Sequence, residues 1–99
     1  NVSQNLKESD NGKRLSAYAD LYAKPESQYV SELTDALIAE KTRFGQYWAI
    51  QALDKIQQHA ANSISDPNVL SKLKTFYNQL ENGVDRKFEL GRILPGLKN

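Results

Sequence analysis

His59 is the only histidine, and with cysteine absent it is the one imidazole or thiol available for metal binding or nucleophilic relay. Such work needs partners, yet its neighbours are Gln57, Gln58 and Ala60. No His/Asp/Glu set at ligand spacing surrounds it, so His59 reads as a helix-end or half-buried packing residue. Carboxylates recur as Glu32/Asp35, Glu81/Asp85 and Glu89. Acid pairs do general acid–base work only when burial or mutual repulsion separates their pKa values. Glu32 and Asp35 point away from the apolar stripe of their helix, Asp85 is placed to cap a helix, and Glu89 follows one turn later. Ser, Thr and Lys have no base in reach, and no glycine-rich phosphate cradle follows a strand. No catalytic residue, metal ligand or cofactor is assigned, and the chain reads as a non-enzyme.

Two surfaces remain as candidates for recognition. The first is aromatic. Five tyrosines in 99 residues is a notable share, and tyrosine joins a large apolar ring to a polar tip that tolerates water at an interface. Tyr18 and Tyr22 lie one turn apart, while Tyr47 and Ile50 face away from the main apolar stripe of their helix. These four are the expected partner-binding residues; burial beneath neighbouring helices is the competing expectation. The second is basic: Lys72, Lys74, Arg86, Lys87 and Arg92. From Asp85 to Asn99 there are four cations against two carboxylates. That excess is smaller than nucleic-acid binders usually carry, and a solvated surface explains it as well. A nucleic-acid or acidic partner on this patch is the alternative to a protein partner on the tyrosines, and association of copies is compatible with either.

The totals allow one domain. With 39% apolar, 9% aromatic and 25% charged residues, 99 residues make ordinary globular material with a single core. A net charge of +1, from 13 basic and 12 acidic residues, exerts little long-range pull on nucleic acid or anionic lipid. No apolar run approaches the ~20 residues of a membrane span. The lack of cysteine excludes disulfides and leaves the compartment open, with the cytoplasm as default. Methionine is absent too, even at position 1, which points to a piece of a longer protein. Asn1-Val2-Ser3 fits the glycosylation sequon, a match near chance in an Asn-rich chain.

The positioning elements are all helices. Residues 1–12 are polar and aperiodic, and are expected to be a flexible leader before a single helical domain over 13–99. Helical spacing predicts segments over about 13–23, 27–40, 42–61, 67–81 and 85–94. Pro25 stops the first. Thr42 is placed to cap the third, and Asp66-Pro67 to start the fourth. Asn82-Gly83 is expected to end the fourth with a left-handed cap, and Pro95-Gly96 to stop the fifth. No stretch alternates as a strand would.

The third segment, "TRFGQYWAIQALDKI", predicts the axle of the core. With Phe44 at 0°, Trp48 falls at roughly 40°, Ala52 at 80°, Gly45 at 100°, Ala49 at 140° and Leu53 at 180°. Gly45 is expected to admit a neighbouring helix backbone. Phe44 and Trp48 are expected to be core residues worth ~3–5 kcal/mol each, so that Trp48→Ala unfolds the domain. The pattern Ala49-x-x-Ala52-Leu53-x-x-Ile56 is similar to the inner helix of HEAT and armadillo-type repeats, and "YVSELTDALIAE" before it looks like the matching outer helix. This resemblance covers residues 27–58, and more loosely 67–94. Gly45 and the Phe44/Tyr47/Trp48 cluster depart from the family's usual choices, and the second pair lacks the small-residue motif. It implies a curved helical scaffold that binds protein partners and catalyses nothing. The expected architecture is all-α: a four- or five-helix bundle of antiparallel hairpins, HEAT-like or orthogonal, serving as an interaction or oligomerisation module.

Overall fold

The computed structural model describes residues 1–98, so the expected domain end at Asn99 lies outside the described residues. Among the described residues there are six α-helices: α1 (Val2–Leu6), α2 (Asn11–Ala23), α3 (Val30–Ala39), α4 (Arg43–His59), α5 (Pro67–Gln79) and α6 (Asp85–Ile93). Single 3₁₀ turns cover Ser27–Tyr29 and Pro95–Lys98. There is no strand among the described residues. The fold is an all-α helical bundle, as the spacing of apolar residues required.

Local chemistry sets the boundaries. Asp10 accepts from Gly12 N–H at 3.0 Å, Thr42 from Gly45 N–H at 2.9 Å and Asp66 from Asn68 N–H at 2.7 Å. Each satisfies a donor that a helix start leaves orphaned. Pro67 occupies the first turn of α5, where its missing N–H is no loss. Two boundaries differ from expectation. Helix α5 stops at Gln79, with Leu80 extended at its cap, and Gly83 takes its left-handed φ of +92° in a separate turn. The larger correction is at the start. In place of a flexible leader, residues 2–6 form α1, capped by Asn1, and its Leu6 is buried against α2 and α3.

Helix α4 is flanked by α2 and α6, and α3 packs on it as well; α5 lies on α3 and closes against α6 and the final turn. Polar pairs along α4 and α6 match in order: Gln46 with Arg86, Gln51 with Glu89 at 2.9 Å, Asp54 with Arg92 at 2.9 Å, and Gln57 with the Ile93 carbonyl at 3.0 Å. Such an order requires the two helices to run the same way. Arg14 and Tyr18 reaching Glu40 while Tyr22 reaches Trp48 gives α2 that direction too. The core holds Leu21, Leu33, Leu37, Leu53, Ile56 and Leu90, all at 0% exposure. Ala49 and Ala52 are equally buried, so the axle role of α4 holds.

One polar cluster sits inside this shell. Glu40, at the end of α3, is 4% exposed. Its carboxylate accepts from Arg14 Nε at 2.9 Å and Nη2 at 3.1 Å, from Tyr18 Oη at 2.8 Å, and from Thr42 N and Oγ1 at 3.1 and 3.0 Å. Burial alone would raise its pKa. The Arg14 guanidinium and the Thr42 and Tyr18 donors outweigh that and hold it at about 2. The same burial, with the neighbouring Glu40 charge, pushes Tyr18 above its ordinary value. The cluster joins α2 to the α3–α4 corner, and with the Glu40 carboxylate buried and bonded from three side chains it acts as a structural latch.

Candidate functional site

The outward stripe of α4 is aromatic at one end and polar at the other. Phe44, Tyr47, Trp48, Gln51 and Lys55 share an arc of roughly 100° at helical spacing. Phe44 is 63% exposed, and Tyr47 and Trp48 are half-buried. Trp48 is the hub, in edge-to-face contact with Tyr22 at 5.5 Å, Tyr47 at 5.9 Å and Phe44 at 6.4 Å between ring centroids. Lys55 Nζ lies 4.9 Å from the centre of the Tyr22 ring.

Beside this face, between the start of α4 and α6, runs an open groove of about 670 Å³. Arg43, Phe44 and Tyr47 line one wall, and Val84, Asp85, Arg86, Phe88 and Glu89 the other. Phe88 is 70% exposed. Phe44 and Phe88, the two most exposed large apolar side chains described, thus flank one depression. Arg86 is held by Gln46 and lies 3.8 Å from Asp85. Glu89 accepts from Arg92 and Gln51, and those two donors, Arg92 first, hold its carboxyl below the usual range. Arg43 is exposed at the groove mouth and engages no carboxylate among the described residues.

The tyrosine set does not assemble as expected. Tyr18 and Ile50 are 0% exposed and cannot meet a partner, whereas Tyr22 and Tyr47 do reach the surface, on either side of Trp48. Tyr18 is internal because its ring packs in the core while its hydroxyl satisfies Glu40. Ile50 is internal because α4 has neighbours on both flanks. Phe44 is correspondingly not a core residue. Phe88 was missed, since α6 alone gave no reason to rank it. The signal for α4 was available: Gln51 and Lys55 occupy the same arc as Phe44 and Trp48, and polar residues mark the solvent side.

The basic residues do not converge either. Lys72 pairs with Asp35 at 2.8 Å. Lys87 donates to the Leu80 carbonyl at 3.0 Å and lies over the Tyr77 ring, while Arg86 and Arg92 are engaged on α4. Lys74 borders a different, apolar depression between α5 and the final turn. His59 is exposed in the last turn of α4. Among the described residues no three His, Asp or Glu side chains gather as a metal site would require. None of the described helices is long and apolar enough to cross a membrane. No family model, curated protein or solved structure matches this chain.

Proposed function

We propose that the chain is a non-catalytic protein-interaction module whose docking surface is the face formed by Tyr22, Phe44, Tyr47, Trp48 and Phe88. One observation carries this reading: the two phenylalanines left most open to water border the same groove, beside a cluster of three further aromatic rings. Scattered exposed apolar residues are normal, but a contiguous aromatic patch rimmed by charge is the composition of an interface. Tyr and Trp at its centre fit the anchors that dominate binding energy.

The groove also favours one partner chemistry. Its other charges are internally paired, so Arg43 is the cation left to answer a carboxylate. The partner is a peptide segment presenting two apolar anchors for Phe44 and Phe88 with an acidic residue beside them. The test is selection of peptides from a random display library on the wild-type chain, with counter-selection on the F44S/F88S variant. Enriched sequences pairing apolar anchors with Asp or Glu, and weakened by Arg43→Glu, support the reading. Sequences that bind both chains equally would remove it.

A further inference from the structure

Two Asn-Gly pairs occur, Asn11-Gly12 and Asn82-Gly83, and the fold treats them oppositely. In such a pair the glycine nitrogen can attack the asparagine side-chain amide, because no Cβ obstructs the approach or the backbone rotation it requires. Asn11-Gly12 opens helix α2. Gly12 N–H is donated to Asp10 at 3.0 Å, and Asn11 Oδ1 accepts from Arg14. Both reacting groups are tied, on a helical backbone that holds them apart.

Asn82-Gly83 lies in the link 80–84 between α5 and α6, and both residues are exposed. A Cβ on Gly83 would meet nothing within 4 Å. Neither the Gly83 N–H nor the Asn82 carboxamide makes a hydrogen bond among the described residues. The turn is closed by one bond, from Val84 N–H to the Glu81 carbonyl, at 3.4 Å. That length is at the weak end of the range, so little opposes rotation of the peptide into line for attack.

We infer that Asn82 is a site of self-modification by deamidation. The Gly83 nitrogen, its proton lost to hydroxide, bonds to Asn82 Cγ. The bond from Cγ to the side-chain nitrogen breaks, and ammonia leaves with a proton from water. Water then adds to either carbonyl of the resulting succinimide and opens it to aspartate or isoaspartate. One water is consumed, one ammonia is released, and nothing is oxidised or reduced. The new carboxylate sits in a depression that Lys87, Lys98 and Phe88 also line. An isoaspartate adds a main-chain methylene before Gly83, one residue short of Val84, which caps α6 and borders the aromatic groove.

The inference stands apart from the docking reading and is tested on the intact chain. The folded protein is held in mildly alkaline, ammonium-free buffer, ammonia is measured, and peptide mapping follows each asparagine. Asn82 is expected to convert roughly tenfold or more faster than Asn11, whose reaction must await opening of the first turn of α2. In urea the two rates should converge, and Asn82→Gln should remove the early ammonia. Equal rates in the folded chain would overturn the inference. So would a difference that persists in urea, since its cause would then lie in the neighbouring side chains.

Discussion

Gly45 lies against the buried carboxylate of Glu40: a Cβ built there would stand 2.7 Å from Glu40 Oε1 and 2.8 Å from Cγ. The glycine in α4 thus makes room for a charged side chain. The three atoms such a Cβ would meet first all belong to the Glu40 side chain, not to a neighbouring helix backbone. On propensity alone Gly45→Ala would stabilise α4 by ~1 kcal/mol. Here it must displace a carboxylate bonded to Arg14, Tyr18 and Thr42. A net loss of about 2 kcal/mol or more is expected in urea unfolding, in line with disrupting a buried charge network.

The same carboxylate sets the acid limb of stability. Its pKa is depressed from 4.5 unfolded to about 2 folded. A depressed acid stabilises the fold above its unfolded pKa and ceases to as pH falls through the folded one. The contribution, on the order of 3 kcal/mol, is therefore complete above about pH 4.5 and lost towards pH 2. Glu40→Gln should flatten much of this limb in a pH series of unfolding free energies. It should also lower stability at neutral pH, because Arg14 is left without its charge partner.

Thr34 is 0% exposed, and its Oγ1 has no hydrogen-bond partner among the described residues. Valine has nearly the same shape without the orphaned hydroxyl. Thr34→Val is expected to be neutral or stabilising by up to about 1 kcal/mol, read from the midpoint of denaturant unfolding.

Exposed aromatics and buried core residues should respond differently to truncation. Phe44→Ser and Phe88→Ser should each change stability by about 0.5 kcal/mol or less, as exposed substitutions do. Leu53→Ala, at a fully buried position, should cost about 2–5 kcal/mol. Trp48→Ala falls between them, because the indole is half-buried. The domain is expected to stay folded, as far-UV circular dichroism would report.

The helices α2 to α6 were legible because their punctuation is local. Pro25, the Thr42 cap and Asp66-Pro67 act within a few residues of themselves. Helix α1 was not legible: five residues offer Val2 and Leu6 one apolar repeat, too little to show periodicity before tertiary burial of Leu6 is known. The aromatic site was half legible. A wheel identifies α4 as broadly apolar but leaves its edges open, and Phe44 and Trp48 sit on one. Arg14 and Tyr18 stand 26 and 22 residues before Glu40, and nothing short-range pairs either with it. Gly45 could be seen to need a reason; Glu40 as that reason required the fold.

Trp48, the only tryptophan, lies within the proposed docking face and reports on it directly. The decisive measurement is its fluorescence as the peptide selected on the wild-type chain is titrated into that chain and into F44S/F88S. A saturable shift to shorter wavelength with the wild type, weakened at least about tenfold in the variant while both stay folded, is the expected result. An identical titration in both chains, or binding that leaves the indole emission unmoved, would contradict a docking surface on this face.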